Sequence, residues 1–262
     1  MGTVWLNALD AGAAALFGLL AGVALNALAD RAAGDETPPW RAADCAKCGA
    51  ALPRARLAPV LALASAWRTC PRCGWRASWR APLLGIALAL LFPLLLARVR
   101  AHGQTLRIAP AGVLAIDLLG CCLLALIVAI DLEHRLILDS TVFPALVALV
   151  GVAAIWDHKA LAAMLFGVVI YGGLFALLYC LGLLTFRTEA LGLGDVKLAL
   201  LIGVLVGWPG IVLALVVGAL AGGAASVVLL GLGRAGPRTF IPYGIYLVLG
   251  AALALLLTPP IW

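Results

Sequence analysis

Leu191-Gly192-Leu193-Gly194-Asp195-Val196-Lys197-Leu198 lies between two long apolar runs, so Asp195 falls at or just inside the edge of a membrane. Two glycines precede the aspartate with one residue between them. Glycine lets a backbone approach a neighbouring helix or a substrate strand closely, and it allows positive φ in the turn leading in. A carboxylate at bilayer depth is unfavourable by roughly 2.5–3.5 kcal/mol, so it is expected to work, and to have a partner. The best candidate partner is Asp131, in Ala129-Ile130-Asp131-Leu132-Glu133-His134-Arg135, which closes another apolar run.

The rest of the chain sets that stretch in a membrane protein. Of 262 residues, 65% are hydrophobic and 11% charged, and the mean hydropathy is +1.14. Soluble globular domains do not have this composition. The net charge of +6 is read as cytoplasmic loops and lipid headgroups, not as a nucleic-acid footprint.

The first apolar run covers 4–28, with no Lys or Arg before it. Ala27-Leu28-Ala29 mimics a signal-peptide cleavage site, but the run is long and its flank uncharged, which favours a first spanning helix over 1–29. Residues 30–81 form the long polar segment. It carries nine basic residues, which places it in the cytoplasm. Seven further apolar runs follow over about 82–97, 110–130, 141–156, 161–185, 196–208, 210–231 and 241–258. With the N-terminus outside, inner segments hold fourteen basic residues and outer ones four, the outer ones being Arg98, Arg100, Arg107 and Lys159. The expectation is an all-α bundle of eight spans with both termini outside and a small zinc-binding loop inside.

In that arrangement Asp131 ends the third span and Asp195 begins the sixth. Two crossings lie between them, so both face the cytoplasmic side. Two carboxylates brought within a few ångströms cannot both ionise cheaply. They share a proton, and the ionised one can deprotonate water while the other donates to a substrate carbonyl. Placement alone also admits ion or proton transport through the same aspartates, and structural pairing with a basic residue. A membrane partner whose zinc loop recruits other proteins is a further reading.

The residue types at Asp195 favour the first. Gly192-Leu193-Gly194-Asp195 is similar to the Gly-x-Gly-Asp signature of intramembrane aspartyl proteases. The longer string through Val196-Lys197-Leu198, with Gly203 and Gly207, resembles the prepilin peptidase family. Ala129-Ile130-Asp131 followed by Leu136-Ile137-Leu138-Asp139 resembles that family's other aspartate motif, and Ile241-Pro242-Tyr243-Gly244 its segment before the last helix. The resemblance implies that Asp131 and Asp195 are the catalytic dyad. It also implies that the substrates are type IV prepilins or pseudopilins, cut after their short basic leader at the cytoplasmic face of the bacterial inner membrane. Gly192, Gly194, Lys197 and Asp139 would support the site. Lys197 would steady the ionised dyad, and Asp139, beside Ser140 and Thr141, would cap the fourth span. Asp117, inside the third span, is read as lining the same cavity.

Cys45-Ala46-Lys47-Cys48 and Cys70-Pro71-Arg72-Cys73 are two C-x-x-C turns with twenty-one residues between them. Four thiolates from two tight turns make a tetrahedral zinc site, and a cytosolic loop disfavours disulfides. Such a site would be closed and structural. Cys121, Cys122 and Cys180 read as small core residues. The resemblance extends to this half. Gly22-Val23-Ala24-Leu25-Asn26 is similar to the family's Gly-Ser-Phe-Leu-Asn, with Asn26 at the asparagine position. Many relatives methylate the new amino terminus here with S-adenosylmethionine. This chain departs from them. Val23 replaces the serine, and in Arg80-Ala81-Pro82-Leu83-Leu84-Gly85 an alanine and a glycine replace the tyrosine and an acid.

Overall fold

The computed structural model describes residues 7–32, 48–50, 70–74, 79–134, 137–186, 192–233 and 243–262. Cys45, Arg135, Leu191, Ile241 and Pro242 lie outside the described residues. Among the described residues all regular structure is helical. The helices are α1 (Ala8–Ala32), α2 (Arg80–Ala101), α3 (Pro110–His134), α4 (Asp139–Trp156), α5 (His158–Gly167), α6 (Gly173–Phe186), α7 (Leu193–Val206), α8 (Gly210–Gly231) and α9 (Gly244–Leu257). A π-helical turn over Val168–Gly172 joins α5 to α6 without a break.

Within the described residues each of the eight apolar runs contains a helix, as expected. Among the described residues six spans are long and apolar enough to cross a membrane, the α5–π–α6 rod counting as one. The other two, α7 and α9, are 14 residues each. At 1.5 Å per residue each is about 21 Å long, against a hydrocarbon core of about 30 Å. The helix expected over 196–208 starts earlier, at Leu193, and stops at Val206, because Gly207 turns the chain with φ of 60°.

The chain divides into two compact units. One comprises Met1–Ala97 with Cys121–His134, the other Arg98–Gly120 with Arg135–Trp262. In the first, α1 and α2 touch backbone to backbone. A Cβ on Gly18 would lie 2.3 Å from the Leu88 carbonyl oxygen, and one on Gly22 would lie 2.5 Å from the Gly85 Cα. Small residues serve membrane helices this way, since lipid gives no hydrophobic drive for helices to associate and close contact must supply the attraction.

In the second unit α7 is the central element. Val196, Leu198, Ala199 and every residue from Leu201 to Val206 are buried. It crosses α5 at glycine: a Cβ on Gly167 would meet the Gly203 carbonyl oxygen at 2.2 Å. The α8–α9 pair is as tight, with Gly250 against the Ala214 carbonyl. Val99, Val113, Ala153, Ala160, Met164, Val204 and Trp262 fill the core away from Asp195.

Two arginines secure that same end. Arg98 Nη1 donates to Asp117 Oδ2 at 2.6 Å, and its Nε donates to the Thr258 carbonyl at 2.9 Å. Arg107 Nε donates to Asp157 Oδ2 at 2.5 Å, and Arg107 Nη2 also donates to the Ile261 carbonyl. Asp157 caps α5, accepting from the backbone N–H groups of Lys159 and Ala160. Burial would raise its pKa. The Arg107 hydrogen bond, the two backbone N–H groups and the Arg107 charge together outweigh burial and hold it below the ordinary carboxylate range. Asp117, read from the sequence as lining the cavity of the dyad, has an ion-pair partner of its own. It is spoken for by Arg98, and it lies fourteen residues earlier on the same helix, about 21 Å along the axis.

Candidate active site

Gly192 is the N-cap of α7, extended at φ −70° and ψ 139°. Asp195 falls on the third helical residue, and its backbone N–H donates to the Gly192 carbonyl at 3.0 Å. Its side chain folds back over this turn, since a Cβ on Gly192 would lie 3.6 Å from Asp195 Oδ2. The carboxylate is half-buried at the mouth of the helix. Here the helix dipole and unbonded N–H groups favour negative charge.

The expected positive φ is not what these glycines provide. The positive-φ glycines among the described residues are Gly49, Gly74, Gly207 and Gly233. Gly194 does serve close approach, because any Cβ there would press on the Ile137 side chain at 3.2–3.3 Å. Lys197, one turn further in, donates to Asp139 Oδ1. Asp139 accordingly does not cap α4. It is the first residue of that helix, Leu138 holds the N-cap position without a side-chain hydrogen bond, and Thr141 Oγ1 donates to the Leu138 carbonyl at 2.7 Å. The Gly194–Ile137 contact and the Lys197–Asp139 pair together pin the start of α4 to the start of α7.

Tyr243, the residue before α9, was not singled out as a site residue. The Asp195 carboxylate is near enough for its charge to act on the Tyr243 phenol. Tyr243 belongs to an aromatic row, with ring centroids 6.2 Å from Phe175 and 6.2 Å from Tyr246. Its edge lies against Gly222, where a Cβ would be 2.4 Å from Tyr243 Cε2. Its place in Ile241-Pro242-Tyr243-Gly244 was the available signal.

Asp131 sits in the last turn of α3, half-buried, within the first unit. In that unit Arg80 is buried at 6% exposure. Its Nε donates to Asn26 Oδ1 at 2.8 Å and its Nη1 donates to the Ala129 carbonyl at 3.3 Å.

The sulfur atoms of Cys48, Cys70 and Cys73 lie within 4.8 Å of one another, and Cys48 Sγ is 3.8 Å from Cys70 Sγ. A tetrahedron with Zn–S of about 2.3 Å has edges of about 3.8 Å, so these thiols fit a zinc ion. Gly49 and Gly74, each directly after the second cysteine of a pair, have φ of 66° and 69°. The Gly74 N–H donates to the Cys70 carbonyl at 2.9 Å and closes that turn. The repeated C-x-x-C-G pattern was the signal for these two glycines.

Fold and site thus define a multi-pass membrane protein with an acid at a glycine-lined helix mouth and a thiol cluster in a polar loop. Residues 118–227, which contain both Asp131 and Asp195, match the type IV leader peptidase family, and residues 16–99 match the bacterial peptidase A24 N-terminal domain. A prepilin leader peptidase/N-methyltransferase of Myxococcus xanthus (strain DK1622) is 30% identical over 225 residues, 86% of this chain and 64% of that protein. One of Pseudomonas putida is 30% identical over 217 residues, 82% of this chain and 72% of its own length. One of Burkholderia pseudomallei (strain K96243) is 28% identical over 219 residues, 83% of this chain and 68% of its own. No solved structure matches the chain. The chain belongs to the type IV leader peptidase family. Its six long apolar spans and that membership make it a multi-pass protein of the bacterial inner membrane. The chain's match spans just under two thirds of the Myxococcus relative.

Proposed function

We propose that this protein is an intramembrane aspartic endopeptidase that removes the basic leader of type IV prepilins or pseudopilins. Asp131 and Asp195 act as its dyad. The observation that carries this reading is Asp195 itself: a carboxylate on the first turn of a protein-enclosed helix, inside a family match that also takes in Asp131. The ionised acid removes a proton from water, the protonated one donates to the scissile carbonyl, and neither a metal nor a covalent intermediate is needed. Gly192 leaves room beside the Asp195 carboxylate, while Gly194 against Ile137 and Lys197 with Asp139 hold the helix mouth to α4. The charge count supports a dyad on the cytoplasmic side, where a basic leader meets anionic lipid headgroups. The named relatives lend nothing to the transporter alternative, and no nucleic-acid partner is invoked.

Three working parts follow: 1–29 as a first span, 30–81 as a cytoplasmic loop, and 82–262 as the peptidase core. Cys45, Cys48, Cys70 and Cys73 would hold a structural zinc, which would cross-link two turns of a loop too small to build its own core. N-methylation with S-adenosylmethionine is a second reading, favoured by the match over 16–99 and by the relatives' names. Ala81 and Gly85, standing where an aromatic and an acid are usual, weigh against it.

The test is purified protein in detergent with a prepilin-like peptide, read by mass spectrometry. Leader loss and methyl addition appear as separate mass changes. Cleavage is expected to vanish in Asp131→Ala and in Asp195→Ala separately, and survival of cleavage in either folded variant would refute the dyad. Metal analysis should find one zinc per chain, lost in Cys48→Ser and Cys73→Ser.

A further inference from the structure

Arg80 is buried, and its hydrogen bonds reach two other helices. Asn26, which accepts from Nε, is in the last third of α1. Ala129, whose carbonyl accepts from Nη1, is in the last two turns of α3. One guanidinium therefore ties α1, α2 and α3 at a single level. The fork is rigid and planar, so two bonds to two elements fix distance and rotation together. The backbone contact between Gly22 and Gly85 lies about one turn from Asn26 on α1 and from Arg80 on α2, so both side chains stand on a crossing with little play. A cation beside the C-terminal end of α3 also opposes that helix's dipole, which favours its staying there.

Ala129 is two residues before Asp131, about 3 Å along the axis. We propose that Arg80 and Asn26 are positioning residues of the peptidase: the Asn26–Arg80–Ala129 bridge sets the height and rotation of the last turn of α3, and with it the aim of the Asp131 carboxylate. This rests on the peptidase reading above. It gives residues of the N-terminal match a task in bond cleavage that is separate from any methyl transfer. A displacement of about 1 Å at a reacting group lowers rates on the order of a hundredfold, so a bridge of this kind has leverage without touching substrate.

The experiment uses the full chain in detergent with a prepilin-like peptide. Asn26→Ala removes one acceptor, and Arg80→Lys keeps the charge but loses the fork. Each is expected to lower kcat tenfold or more while KM stays within twofold. Asn26→Asp, which still accepts from Nε, should keep kcat near wild type at an unchanged thermal midpoint. Wild-type kcat in both Asn26→Ala and Arg80→Lys overturns the inference, as does loss of methyl addition with cleavage intact. It is also overturned if activity merely tracks the folded fraction and Asn26→Asp behaves no better than Asn26→Ala. Normal cleavage in the bridge variants, with Asp131→Ala inactive, sinks this inference and leaves the peptidase reading standing. An inactive wild type sinks both.

Discussion

Asp117 and Asp195 are acids on apolar helices of the same unit, held in opposite ways. Asp117 is 2% exposed and faces Arg98 at 2.6 Å, and Arg98 is itself tied to the Thr258 carbonyl. Asp195 stands half-buried on a first turn, behind an extended glycine, and the nearby lysine turns to Asp139 instead. A buried acid with a dedicated guanidinium is committed to holding helices together. Asp195 sits instead at a helix mouth, half-buried, where the local lysine pairs with Asp139. What surrounds each carboxylate distinguishes the two, and its depth along the chain does not.

Five variants can break or sharpen that contrast. Asp195→Asn should lower cleavage by about a thousandfold, the scale of a lost acid–base group, and barely move the thermal midpoint. Arg98→Ala should do the reverse. It strands the Asp117 charge and should destabilise by about 3–5 kcal/mol, seen as a large drop in thermal midpoint, whereas Arg98→Leu with Asp117→Leu should recover most of that.

Asp157→Ala removes the α5 cap and should lower stability by about 0.5–2 kcal/mol. Because the folded-state pKa of Asp157 is held below its unfolded value, its contribution is complete above the ordinary carboxylate value of about 3.9 and is lost as pH falls through the folded value. Thermal midpoints of wild type and Asp157→Ala should therefore differ at neutral pH and converge in acid. Lys197→Gln should matter least, at under about 1 kcal/mol, since the Asp139 side chain is 58% exposed and water already screens the pair. A fall in cleavage beyond a few-fold in that variant would mean Lys197 acts on the dyad and not only on α4.

The helices were legible because membrane spans announce themselves by length and hydropathy: among the described residues six of the eight runs hold helices long enough to span, and the other two hold shorter ones. The pairing of side chains was not. Arg98 and Arg107 entered the charge count as outer flanking residues, and they weakened it. Arg98 is buried against Asp117 and Arg107 is spent on Asp157, so neither reports on the loop beside it. Opposite charges on adjacent apolar spans were visible in sequence, but only packing shows which ones meet. Asp139 looked like a cap because it starts a helix, and the pull of Lys197 from 58 residues away has no local trace. The π turn at Val168–Gly172 has no sequence signature in a run that is apolar throughout. The cysteine turns were the clearest local feature, since C-x-x-C followed by glycine carries both the thiol spacing and the left-handed residue found at Gly49 and Gly74.

The glycine crossing of α7 with α5 has a mechanical consequence. With a carbonyl where a methyl group would otherwise sit, and every residue from Leu201 to Val206 buried, the second half of α7 has little room to slide or roll within its unit. Asp195, on the first turn of that helix, shares its fixed seat. On the dyad reading proposed above, a substrate peptide must come to this acid, and α7 does not shift to meet it.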